Sequence, residues 1–375
     1  MKKDDNPPTG NTKFSSRAPG PKLGVIGVGG AGNNAVNRMI EDGVSYVKFI
    51  AANTDLQVLE VSKAGNIIQL GEKLTNGMGA GAVPETGLKA AEESRDEIRS
   101  SLSGFDMLFI TAGMGGGTGT GASPLVAAIA KELGILTVAI VTKPFKSEGK
   151  RKEKIASEGI SQLTKHVDTI ITVPNERLRE VYKGLDLKAG FKKADEVLSN
   201  ATRAISSLIF ETGIMNVDFA DILTTLKDKG QGHIGMGIAS GKDRAKKAVE
   251  AAINSPLLEL SIEGAKHVIV AYYYSSSNTL TFEEFDDVNA FLEDALGGDD
   301  GDILIIPGNF EDERLGDDLL VTIIATGGDG AGGIIKDKPK PTKTITSPKL
   351  FDSKSSDSDE LPEVEKIQIP NFLKK

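Results

Sequence analysis

Two glycine runs and one pair of carboxylates are the residues whose types and spacing could do chemistry. Between Gly113 and Gly121 six of nine residues are glycine, the others being Met114, Thr118 and Thr120. Glycine loses more backbone entropy on folding than any other residue, so such a run weakens any helix or strand that contains it. It is useful where consecutive main-chain N–H groups must converge into an anion-binding nest. The other run, Gly27-Val28-Gly29-Gly30-Ala31-Gly32, has the G-x-G-x-x-G spacing that lets a phosphate approach a helix N-terminus. The carboxylates are Asp218 and Asp221 in "MNVDFAD", three residues apart and so on one face of a starting helix. That placement fits an N-cap and a first-turn acid favoured by the helix dipole. It equally fits a pair that orients a water molecule and accepts its proton.

The elements that would hold these residues can be read around them. "KLGVIGVGGAGNNAVNRMIE" reads as strand, glycine turn and helix, and "YVKFIAANTD" as a second strand. "GFDMLFITAG" runs straight into the longer glycine run, "ASPLVAAIAKELG" is a helix stopped by Gly134, and "ILTVAIVTKPF" and "VDTIITVPN" complete five strands. Strands alternating with helices predict a parallel, doubly wound α/β sheet, which binds ligands beyond the carboxyl ends of its strands. Both glycine runs, Asn53-Thr54-Asp55 and Pro174-Asn175 fall at those ends.

Taken alone, Gly27 to Gly32 with Asp55 would describe the dinucleotide site of an NAD-dependent oxidoreductase. The second loop, also opening a helix, fits a polyphosphate better, and no G-x-x-x-x-G-K-[ST] is present. Thr118 and Thr120 could add hydroxyl donors, and Asn33 and Asn34 side chains suited to a nucleotide. A third stretch, "NGMGAGAVPETG" from Asn76 to Gly87, could close over the terminal phosphate.

Farther along, an apolar repeat of helical spacing spans about Lys193 to Met215, and residues 216–328 read as a second, smaller α/β domain. Residues 1–20 and 329–362 have the composition of disordered chain, the latter a flexible linker of about 35 residues reaching roughly 30–35 Å. The apolar cluster in "IQIPNFLKK" reads as a binding motif.

A net charge of −9 and a pI near 5.1 argue against nucleic-acid binding. Without Cys there is neither a disulfide nor a thiolate metal site, and His166, His233 and His267 have no metal spacing. No apolar run approaches the roughly 18 residues that span a bilayer, and the N-terminus lacks the apolar region of a signal peptide. A cytoplasmic protein without direct membrane insertion is expected.

"GGGTGTGA" resembles the signature of the tubulin/FtsZ superfamily, and the likeness extends from about Lys22 to Gly327 and again at the chain's end. "VIGVGGAGNNAVNRMI", "AANTD", "GMGGGTGTGASP", "LGILTVAIVTKPF", "VPNERL", "FKKADEVL" and "MNVDFAD" carry it. The resemblance implies a Rossmann-like GTP-binding domain (21–192), a long central helix (193–215) and a C-terminal α/β activation domain (216–328). It implies head-to-tail polymerisation into the division ring at mid-cell. Gly30, Ala31, Gly32, Asn33 and Asn34 would hold phosphates and nucleoside, with Gly117, Thr118, Gly119, Ala80 and Gly81 on the phosphates. Glu148 would contact the ribose, Phe191 would stack on guanine, and Asp195 would accept from guanine N1–H and N2–H. GTP or GDP would bind with Mg²⁺.

The same likeness gives Asn216, Asp218 and Asp221 the task of polarising water in the next subunit's pocket. It makes the peptide 363–375, and Ile367 to Lys375 in particular, the dock for membrane-anchor and regulatory division proteins. Departures occur at Lys152, where the family usually has Arg, at Ser147 in place of Phe, and at Val83 in place of Asn. An ammonium cannot reproduce a bidentate guanidinium contact, so Lys152 keeps open a non-hydrolysing polymer protein beside the GTPase reading.

Overall fold

The computed structural model describes residues 20–181, 184, 186–210, 217–255, 262–297 and 303–327. Residues 1–19, the expected linker and C-terminal peptide, and Asn216 lie outside them.

The chain opens with β1 (Leu23–Val28), α1 (Gly29–Glu41), β2 (Val47–Asn53), α2 (Leu56–Glu60) and β3 (Asn66–Gln69). Three helices follow, α3 (Glu72–Thr75), α4 (Pro84–Glu93) and α5 (Arg95–Leu102), before β4 (Met107–Gly113) and α6 (Thr118–Glu132). Next come β5 (Leu136–Lys143), α7 (Lys150–Leu163), β6 (Thr169–Pro174), α8 (Asn175–Val181) and α9 (Leu187–Phe210). After α10 (Phe219–Leu226) come β7 (Gly230–Ser240), α11 (Arg244–Ile253) and β8 (His267–Tyr274). The described chain closes with α12 (Phe282–Ala295), β9 (Leu304–Glu311) and β10 (Asp318–Thr326).

The strands form one sheet in the order β3-β2-β1-β4-β5-β6-β7-β10-β8-β9. Every pairing from β3 to β7 is parallel, as is β8 with β9, while β10 is antiparallel to both its neighbours. The expected strand–helix alternation is therefore present. The seam between its two parts is narrow: β6 meets β7 over three residue pairs, Thr169–Gly230 to Ile171–Gly232.

Side-chain alternation along each strand sends neighbours to opposite faces. Val25 packs with Ala35, Val36 and Met39 of α1 and with α9, whereas Ile26 and Val28 pack with α4, α5 and α6. Because both faces are covered, β1 and β4 read as continuous apolar runs. A third cluster joins α11 and α12 to β8 and β10.

Helix α9 starts six residues before the expected Lys193. Asp186 Oδ1 accepts the Ala189 N–H at 2.7 Å and caps it there, ahead of the apolar repeat. At 24 residues, α9 is about 36 Å long. Its start carries Phe191 and Asp195, and its end is Phe210.

Candidate nucleotide site and the opposite edge of the sheet

Helices α1 and α6 begin at the C-terminal ends of β1 and β4, adjacent parallel strands. Neither has a side-chain N-cap or a first-turn acid, so their leading N–H groups lack the usual internal partners. The two turns pack too closely for side chains. Gly29 has φ 74°, and a Cβ there would lie 2.7 Å from the Gly119 nitrogen. A Cβ on Gly113 would sit 2.6 Å from that of Ala31, and one on Gly32 would overlap the Thr111 carbonyl. Gly30 and Gly116 instead have nothing within 4 Å of a built Cβ, so the paired turns open onto free space there.

Threonine and asparagine brace these turns from behind. Thr118 Oγ1 and Thr54 Oγ1 share a buried 2.6 Å hydrogen bond, and Thr120 Oγ1 accepts the Gly115 N–H at 2.9 Å. As acceptor of that bond Thr120 keeps its own O–H proton, while Thr118 and Thr54 share one proton between their two oxygens. The loop's main-chain N–H groups are available to an anion beside these hydroxyls. Asn53 Nδ2 donates to Asn33 Oδ1 at 3.2 Å. Asn33 is wholly buried, and its own Nδ2 has no partner in the protein, an unmet donor beside the first turn. Asn34, Gly30 and Ala31 are exposed.

The third loop joins them. Asn76, Gly77, Gly79, Gly81 and Ala82 all have positive φ, and the loop is tied to the end of β2 by Gly79 N–H donating to the Thr54 carbonyl. Its Ala80 reaches the second loop: a Cβ on Gly117 would lie 2.9 Å from Ala80 Cβ. Three segments distant in sequence thus converge on one place.

Past β5, Glu148 Oε1 accepts the Phe145 N–H at 2.8 Å, and its Oε2 pairs with Lys152 Nζ at 3.1 Å. Lys152 also touches the second loop through its carbonyl oxygen, 2.9 Å from a Cβ built on Gly115. Phe191, 39% exposed, meets Phe145 edge-on with centroids 5.1 Å apart. Burial pushes the Asp195 carboxyl up to about 7, opposed by the Arg38 charge. Sequence reasoning assigned no role to Asn175, yet its buried Oδ1 at the end of β6 has no partner in the protein. Its place directly after a strand end was the available signal. Thr54 and Phe145 went unassigned because their contacts cross 64 and 46 residues of chain and leave no local spacing.

The cradle that a Cβ would fill, the uncapped helix starts and the unmet Asn33 and Asn175 atoms together fit a nucleoside polyphosphate. Among the described residues no group of three His, Asp or Glu gathers as a metal cage. No described helix is long and apolar enough to cross a membrane.

Asp218 and Asp221 are elsewhere. Both are exposed, and Asp218 caps α10, its Oδ1 accepting the Ala220 N–H at 3.4 Å. The far end of α10 is pinned to the beginning of β6: Thr169 Oγ1 donates to the Leu226 carbonyl, and the Gly230 N–H to that of Asp168. Asp221 lies about 7.5 Å along the helix axis from Leu226. The six residues of β6 span about 17 Å. The acids therefore belong to the N-terminal edge of the parallel strands and the glycine loops to the C-terminal edge.

Known proteins resemble most of the chain. Residues 22–183 match the Tubulin/FtsZ family GTPase domain, and residues 230–329 match the FtsZ family C-terminal domain. An empty FtsZ dimer from M. jannaschii is 42% identical over 88% of this chain and 95% of its own, with a TM-score of 0.79. A mutant FtsZ from the same organism is 43% identical over 83% of this chain and 92% of its own, also at 0.79. CetZ2 from Haloferax volcanii, solved as a GTPγS-bound protofilament, shares the fold at 20% identity and a TM-score of 0.69, over 84% of this chain and 95% of its own.

Proposed function

The chain belongs to the tubulin/FtsZ family of GTPases, and on that footing we propose that it assembles head to tail, each molecule completing its neighbour's hydrolytic site. The observation that carries this reading is the separation of parts. The two glycine runs, Gly27 to Gly32 and Gly113 to Gly121, contain no carboxylate or base, while the exposed Asp218 and Asp221 stand at the other edge of the same sheet. Stacking copies with these two edges in contact brings the acids of one onto the phosphates of the next. Such a contact is heterologous, and unless its rotation closes it generates an open filament. The FtsZ relative solved as a dimer supports self-association.

In the filament Asn216, Asp218 and Asp221 orient and polarise the attacking water, and an aspartate carboxylate takes up its proton. The rest of catalysis is positioning and charge neutralisation. Mg²⁺ accompanying the nucleotide would supply charge neutralisation. Gly30, Ala31, Gly32, Gly117, Thr118, Gly119, Ala80 and Gly81 hold the phosphates, Asn33, Asn34 and Glu148 the sugar side, and Phe191 and Asp195 the guanine. Filaments of this kind build the division ring in the cytoplasm, tethered through the 367–375 peptide to membrane-anchor and regulatory proteins.

Mixing tests the shared site. Asp221→Ala keeps a sound pocket but lacks the acid, and Asp195→Ala keeps the acids but lacks the base contact. Each alone should be nearly inert, and a mixture should regain turnover. A mixture no more active than its components would reject the reading.

A further inference from the structure

Helix α10 carries Asp221 and is capped by Asp218 at one end, while its other end is where the sheet grips it. The last four carbonyls of a helix have no partner within it. In α10 the final two are met from outside by threonine hydroxyls. Thr326 Oγ1 donates to the Thr225 carbonyl at 2.6 Å, and Thr169 Oγ1 donates to that of Leu226. Both threonines are buried, as are Thr225 and Leu226. Thr225 passes the hold one turn back, its own Oγ1 donating to the Asp221 carbonyl at 2.9 Å.

The two threonines come from different strands. Thr169 opens β6 and Thr326 closes β10, the neighbours of β7 on either side. Between them stands Gly232 of β7, paired with Ile171 and with Thr326. A Cβ there would lie 3.0 Å from Thr169 Cγ2 and 3.3 Å from Thr326 Cγ2, so the bare position gives both side chains room. The grip therefore spans the short seam between β6 and β7. At the other end of α10, Asp218 and Asp221 are exposed and the Asp218 cap is long at 3.4 Å.

We propose that Thr169 and Thr326 are positioning residues for hydrolysis: together they set the direction in which α10 presents Asp218 and Asp221 to the neighbouring molecule. This rests on the shared-site reading. One hydrogen bond would leave a pivot; two, from strands on opposite sides of β7, take it away. Asp221 lies about 7.5 Å along the axis from Leu226, so a tilt of about 8° at the grip moves it about 1 Å. A misplacement of that size is enough to lower turnover on the order of a hundredfold.

The test uses the full chain, with turnover measured per pelleted subunit above the critical concentration. Thr169→Val and Thr326→Val keep the shape and remove the hydroxyl. Each should bind GTP as a monomer like the parent, still pellet, and show kcat lowered about tenfold at unchanged KM. Thr169→Ser and Thr326→Ser keep the hydroxyl and should stay within about twofold of the parent. Mixing separates misplaced acids from a damaged fold. Thr326→Val should regain turnover with Asp195→Ala, whose acids are sound, and gain nothing from Asp221→Ala, whose acid is missing. Full turnover in both valine variants, lost GTP binding, serine variants as slow as the valine ones, or no rescue by Asp195→Ala would each overturn the proposal. Asp221→Ala alone tests the reading beneath it. If it is inert while both valine variants are fully active, only the positioning role fails; if it hydrolyses GTP normally, the shared-site reading fails first.

Discussion

At the C-terminal edge of the parallel strands the chain removes side chains; at the N-terminal edge it presents charged ones. Gly29, Gly32, Gly113, Gly117 and Gly119 are packed so closely that a Cβ on any of them would crowd a neighbouring loop or strand. The helices behind them start without caps. Helix α10, at the other edge, starts with an ordinary aspartate cap and exposes a second acid one turn on. One edge is built to receive negative charge and the other to offer it. Placed in one pocket, Asp218 and Asp221 would repel the phosphates that the loops attract. On the proposed reading, separating them would let a single molecule bind GTP and would leave hydrolysis to contact between molecules.

The most severe way to break this contrast is Asp221→Ala. Phosphate release should fall by about 10²–10⁴, the range of general-base assistance, while binding of a fluorescent GTP analogue is retained. Lost binding would return Asp221 to a purely structural role. At the loop edge, a Cβ on Gly121 would run into the Pro84 carbonyl, joining two rigid backbones. Gly121→Ala should cost about 1–3 kcal/mol of stability by overpacking. Gly30→Ala, with open space around it, should melt like the parent yet bind GTP more weakly. Calorimetry together with nucleotide titration separates the two.

A smaller effect follows from Asp195. Its carboxyl sits at about 7 in the free protein, and guanine N1–H and N2–H need the ionised form. GTP affinity should therefore be level above about pH 8 and fall toward tenfold per unit below about 7. Asp195→Asn should bind weakly at every pH and lose that slope; a parent profile flat from 5 to 8 would remove Asp195 from base recognition. The smallest change is Lys152→Arg, which restores a planar fork beside Glu148 and should tighten GTP several-fold.

How much was legible in the sequence depended on whether a feature acts through local spacing. The glycine loops, the strands before them and the acid pair are local patterns, and the structure has each where the spacing put it. Thr54 on Thr118 and Ala80 against Gly117 are long-range meetings with no periodic trace. The start of α9 was hidden because Leu187 to Lys193 contains Gly190 and three lysines, and only the Asp186 cap announces it. The second α/β part was readable as elements, but its sheet joins the first through three residue pairs that no composition shift marks. Thr169 and Thr326 were invisible because each meets α10 from a strand far along the chain.

The central claim is that the two edges meet only between molecules. GTP turnover measured against protein concentration, with sedimentation in parallel, tests it most directly. We predict a critical concentration below which turnover per molecule and pelletable polymer vanish together. Turnover per molecule that stays constant down to high dilution would contradict it.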